Sequence, residues 1–331
     1  MTTDQVLLLA WLALAHLGAD FVLQGNRIAT RKFASGWTGL AALAAHVVIV
    51  ALCLAPFAVV YGRPGLGLLL AVSLAHGLID RTKIVLTRRA EARALATARR
   101  LHEPPAGAAF LGRAWTPLPA ALFAADQAAH AVVLWLAWWV FLAGATPVPA
   151  AAARIATVAG PDPAAFHRAV LTAVVLLALA IVNIRAGALF VGTLVRPLPT
   201  LEGREAGADP AARPPAIPAS AAPALAYDIE LGPLRGHLAP RSTPPAEPAR
   251  LASPLRVGEA IGILERLLIA ALLLVRAEAA IGLVIAAKTL ARFKQLDDRE
   301  FAEYYLLGTL ASVAVAVGSA LVAAAALGIS V

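Results

Sequence analysis

The sequence predicts an all-α integral membrane bundle of seven or eight transmembrane helices with a disordered proline-rich cytoplasmic linker, and three observations carry that prediction. The 331 residues are 60% hydrophobic and only 15% charged, and a mean hydropathy of +0.77 excludes a water-soluble domain of this length. Apolar runs of about 20 residues, enough to cross a hydrocarbon core of roughly 30 Å, recur along the chain. One segment, 196–256, interrupts them with prolines from Pro197 to Pro254.

The first run, 5–24, lacks a basic leader and holds His16 and Asp20, so it reads as a retained helix and not as a signal peptide. Further spans follow at 38–61, 66–86, 119–143, 167–195, 258–275 and 303–327, and the shorter run 277–293, with Lys288 and Arg292, is read as an eighth. Ala, Leu and Val dominate these runs without the alternation of a barrel strand, which selects helices. The chain divides into an amino-terminal five-helix bundle (1–195), the linker (196–256), too rich in proline for helices or a core, and carboxyl-terminal helices (257–331). Residues 87–101 predict a basic helix on the anionic inner leaflet. In the last span Gly308, Ser312, Ala316, Ala320 and Ala324 make a small-residue stripe suited to close helix packing.

A net charge of +8 is explained by topology and not by nucleic acid. Arg27, Arg31 and Lys32 follow the first span, and a second basic group from Arg81 to Arg113 follows the third. Both loops are expected inside, with the amino terminus outside. The single cysteine, Cys53, excludes an internal disulfide framework.

Ionisable groups inside spans cost several kcal/mol unless paired, so each needs a reason. The first span carries His16, Asp20 and Gln24, the third His76, Asp80 and Lys83, the fourth Asp126, Gln127 and His130, and the second His46. Residues four apart share a helix face. With alternating span directions all four sets fall in the cytoplasmic half at similar depth. Imidazoles and carboxylates on facing helices are suited to Zn²⁺ or another divalent metal, with His16, His46, His76 and His130 as ligands and Asp20, Asp80 and Asp126 as catalytic carboxylates. The bland reading of the same residues is His to Asp pairing that holds the helices together. Glu265, Arg266, Lys288 and Arg292 form a second polar set. A bridge from Glu265 to Lys288 or Arg292 is the simpler account of it, and phosphate headgroup binding by Arg266, Lys288 and Arg292 the sharper one.

The segments HLGADFVLQ, HGLIDRTK and DQAAH, with the later GEAIGILERLLI, AIGLVIAAKTLARF and AEYYLLGTL, resemble the bacterial membrane family catalogued as domain of unknown function 3307. The resemblance covers 5–143 and 256–327. It implies a multi-pass protein of the bacterial inner membrane and carries no activity with it.

Three functions fit these observations. A membrane-embedded metal-dependent hydrolase would act on a lipid or other membrane-associated substrate at the cytoplasmic face. An ion- or proton-coupled transporter would need its polar path to continue outward, where these helices are Ala, Leu and Val. A non-catalytic scaffold would use the cluster as a structural network. No nucleotide loop or dinucleotide fingerprint is present in the sequence, so the expected partners are the bilayer and a lipid substrate, without a nucleotide cofactor or nucleic acid.

Overall fold

A computed structural model describes residues 2–100, 115–195, 227–231, 234–238 and 254–330. Helix α1 (Thr3–Leu17) starts at Thr2, which forms a reciprocal capping box with Gln5, and continues into a π-helical turn, Gly18–Leu23. The short α2 (Asn26–Arg31) leads to α3 (Trp37–Tyr61) and α4 (Arg63–Arg100). Gly62 joins these two at φ +60°, a left-handed conformation that glycine adopts without a side-chain penalty. Next come α5 (Leu118–Ala137), which runs into a π-helical turn (Trp138–Leu142), and α6 (Pro149–Ala159). Then α7 (Pro163–Ile181) passes through a third π-helical turn (Val182–Ala186) into α8 (Gly187–Val195). The chain closes with α9 (Pro254–Leu274), α10 (Ala279–Ala291) and α11 (Arg299–Leu327).

Each expected span coincides with a helix, but not all have the same standing. Thr3–Leu23, Trp37–Tyr61, Leu118–Leu142, Pro163–Val195 and Phe301–Leu327 are long and apolar enough to cross a membrane. Helix α4 carries Asp80, Arg81 and Lys83, and α9 carries Glu259, Glu265 and Arg266, within the stretch that would cross. At 1.5 Å per residue the 13 residues of α10 reach only about 20 Å. The basic run after the third span is no separate helix: α4 continues without interruption to Arg100.

Most of 196–256 lies outside the described residues. Within it, Tyr227–Leu231 and Leu234–Leu238 pair as antiparallel strands β1 and β2, with Tyr227 opposite Leu238 and Leu231 opposite Leu234. This departs from the expectation of a segment without regular structure. The prolines hid a local alternation, Tyr227, Ile229 and Leu231 against Asp228 and Glu230, which is a strand pattern.

The described residues within 1–198 and 261–331 make one compact unit with two apolar cores. In the first, Leu12, Val50, Leu54, Leu68, Val72, Leu134, Trp138 and Leu142 come from α1, α3, α4, α5 and its π-helical turn. The second joins Leu171, Val175 and Leu179 of α7 to Ala270 and Leu273 of α9 and Ala320 and Ala323 of α11. The stripe on α11 is packed as its small residues suggest: Ser312, Ala316, Ala320 and Ala324 are all buried.

Arginine and asparagine hold the second core together. The buried Arg266 donates from Nε to the Asn183 carbonyl at 2.7 Å and from Nη1 to Ser312 Oγ at 3.3 Å. Asn183 sits in the third π-helical turn, where the altered backbone pairing leaves a carbonyl for an outside donor. Its own side chain donates to the Leu179 carbonyl (2.9 Å) and Ser319 Oγ (3.1 Å). At Gly187 the backbone comes close to this arginine: a Cβ there would stand 3.0 Å from Arg266 Nε, so the side chain would have to give by a few tenths of an ångström. Replacing Arg266 by Met should therefore lower stability by about 1–3 kcal/mol, the cost of leaving buried polar groups unmade. Arg292, only partly buried and with its side chain bonded to Gln295 alone in the described hydrogen bonds, should stay within about 0.5 kcal/mol of the parent when changed to Met. Thermal unfolding of the two variants in detergent checks the difference.

Candidate functional site

Four helices bring the expected residues to one place. His16 ends α1, Asp20 lies in the π-helical turn that follows, His46 is on α3, His76 and Asp80 are on α4, and Asp126 and His130 are on α5. His46, His76, Asp80, Asp126 and His130 are all buried, and the Asp20 side chain is nearly so.

The tightest convergence joins three of these helices. His46 Nε2 and His76 Nε2 are 2.9 Å apart, and Asp20 Oδ1 lies 3.2 Å from the first and 3.4 Å from the second. Asp80 Oδ2 stands 3.6 Å and 3.9 Å from the same two nitrogens. Ligand atoms around a tetrahedral zinc, at bonds of about 2.0–2.1 Å, are roughly 3.3 Å apart, so this spacing matches a coordination shell. The imidazoles continue beyond it as a ladder. Ring centroids are 4.9 Å apart for His46 and His76, 4.2 Å for His76 and His130, and 4.7 Å for the stacked His130 and His16.

His16 lies at the edge of the tightest convergence: its Nε2 is 3.4 Å from Gln127 Oε1 and 3.8 Å from Asp20 Oδ2. Asp126 Oδ2 accepts from Lys83 Nζ at 2.9 Å and from Gln127 Nε2 at 3.0 Å. Lys83 also lies over the Phe123 ring, 5.3 Å from its centroid. Three groups of side chains place one ligand atom each within 4.8 Å of one another: His16 with Asp20 and His76, His46 with His76 and Asp80, and Asp80 with Asp126 and His130.

The second polar set is distributed among separate partners. Lys288 Nζ donates to Glu265 Oε2 at 2.6 Å and sits over the Tyr305 ring, Arg266 faces Asn183 and Ser312, and Arg292 donates to Gln295 Oε1.

Two site residues escaped sequence reasoning. Lys32, assigned to topology, is buried just after α2 with Nζ 2.5 Å from Asp80 Oδ2. With the Gln24 amide oxygen facing it, Lys32 also donates to Gln24 at 2.6 Å. A lysine 48 positions from its aspartate leaves no spacing signal. Arg185, in the third π-helical turn, donates from Nε to the Phe21 carbonyl at 3.1 Å and so ties down the backbone beside Asp20.

Because the Lys32 and Asp80 side chains are 7% and 3% exposed, removing one partner strands a buried charge. Lys32→Met should destabilise by about 3–5 kcal/mol. Adding Asp80→Asn to that variant should recover part of the loss, and a double-mutant cycle on thermal unfolding measures the coupling. Strictly additive losses would contradict the pairing.

No curated protein and no solved structure matches the chain. A family model, described as "Protein of unknown function (DUF3307)", matches residues 8–156. Those residues carry every histidine, aspartate and lysine of the cluster.

Proposed function

We propose that the protein is a membrane-embedded metal-dependent hydrolase whose centre lies toward the cytoplasmic face and whose substrate is an ester or phosphoester of the inner leaflet. The observation that carries the proposal is the approach of Asp20 Oδ1 to His46 Nε2 and His76 Nε2, all within 3.4 Å, away from any lysine contact. Of three buried carboxylates, Asp80 and Asp126 each meet an ammonium. Asp20 meets imidazoles alone, and a divalent cation between it and the two Nε2 atoms would balance its charge.

The reading takes α4, α9 and α10 as spans beside the five long apolar helices, with Arg27, Arg31 and the basic end of α4 inside, as for a multi-pass inner-membrane protein. His46, His76 and Asp20 would hold the metal, and Asp80, oriented by Lys32, would be the fourth group to hold it. A cation bound there supplies Lewis acidity and lowers the pKa of a coordinated water. Hydrolysis with such a water would join its oxygen to the acyl carbon or phosphorus, break the bond to the leaving oxygen and leave the water proton on the leaving alkoxide. Asp20 and Asp80 are placed to carry that proton. The buried Leu12, Leu54, Leu68 and Leu142 on the other side of the histidines favour a one-sided site over a transport path.

Elemental analysis of detergent-purified protein, beside the double variant His76→Ala and Asp80→Ala, tests the reading. At least one equivalent of zinc or a similar ion in the parent, lost in the variant, is expected, together with metal-dependent release of fatty acid or headgroup from phospholipid vesicles. Parent protein that stays metal-free after zinc addition would overturn it. Metal without any release would overturn the hydrolase step alone.

A further inference from the structure

The geometry points to a second cation position, built from Asp80, Asp126 and His130, which Lys83 fills with its ammonium when no metal is there. This rests on the reading of a metal centre but adds Asp126 and His130, with Asp80 shared between the two positions. His130 Nδ1 is 2.8 Å from the Asp126 backbone carbonyl, an oxygen that can only accept. The ring proton is therefore on Nδ1, and Nε2 carries a lone pair.

That nitrogen has no hydrogen-bond partner, although His130 is only 2% exposed. Asp126 Oδ1, likewise buried, has none either. A histidine whose far N–H is fixed on a carbonyl while its other nitrogen presents a buried lone pair has the arrangement of a metal ligand and its outer partner. Ligand atoms of Asp80, Asp126 and His130 come within 4.8 Å of one another. Asp80 also faces His46 and His76, so its carboxylate would bridge two cations, as in paired-metal sites with ions about 3.5–4 Å apart.

Charge decides what must move. Three aspartates face two lysines, and two divalent ions added to both ammonium groups would overshoot. Lys83 is the one able to leave, because its side chain is 21% exposed against 7% for Lys32, and its long stem can carry the ammonium outward to water. Lys83 and the second ion thus compete for Asp126.

Titration of full-length metal-free protein in detergent with Zn²⁺, and with Mn²⁺ read by electron paramagnetic resonance, separates the cases. The parent should take two equivalents and show a spin-coupled manganese pair. His130→Ala should keep one equivalent with an uncoupled signal, and Lys83→Met should bind the second equivalent at least tenfold more tightly. One equivalent in the parent, unchanged in His130→Ala, overturns the second position and leaves the first intact. No metal in the parent overturns both. An unchanged second affinity in Lys83→Met overturns the role given to that lysine, and this variant keeps the test open if His130→Ala does not fold.

Discussion

A carboxylate in an apolar bundle must find a counter-charge, and three of them, Asp20, Asp80 and Asp126, determine how the first five helices meet. Lys32 is drawn from the α2 loop onto Asp80, and Lys83 reaches from α4 to Asp126 on α5. Asp20 instead draws His46 and His76 together from α3 and α4. Each contact crosses between elements, so charge balance and helix arrangement are one problem here. Moving any of these helices would separate a buried charge from its partner.

Each helix repeats the same change of character in steps of four. Leu12 precedes His16 and Asp20 on α1. Val50 and Leu54 follow His46 on α3, Leu68 and Val72 precede His76 and Asp80 on α4, and Leu134 and Trp138 follow His130. A single inward face on each helix is therefore polar at one end and apolar at the other. Four antiparallel or parallel neighbours keep the polar ends level only if chain direction and residue order alternate together, as they do. The polar cluster is consequently closed on one side by packed leucine.

This pattern was legible because spacing of four along a helix needs no knowledge of tertiary structure. From it the helices and the meeting of their polar faces could be read. Lys32 was not legible, since a basic residue after an apolar run is ordinarily a topology signal and nothing local marks it for burial. Nor was Arg185, whose acceptor is a backbone carbonyl, a group that every residue has. The π-helical turns have no composition of their own, and the β1 and β2 pairing was masked by surrounding proline. The stripe on α11 could be read because small residues at one face have a single common use in helix packing.

The π-helical turns also explain how residues beyond the DUF3307 match bear on the cluster. An α-helix uses its interior carbonyls internally, and a π-helical turn disturbs that pairing and offers an oxygen to an outside donor. Arg185 lies in the turn after α7 and takes the Phe21 carbonyl of the turn that contains Asp20, while Asn183 of the same turn gives its carbonyl to Arg266. The turn thus ties the second core to the site: Arg266 bonds the Asn183 carbonyl, and Arg185, two residues further along the same turn, bonds the backbone carbonyl next to Asp20. Asp20 has no lysine to hold it, so the direction of its carboxylate depends on that backbone. The later helices therefore contribute to the site by fixing the one carboxylate whose position its charge partners do not.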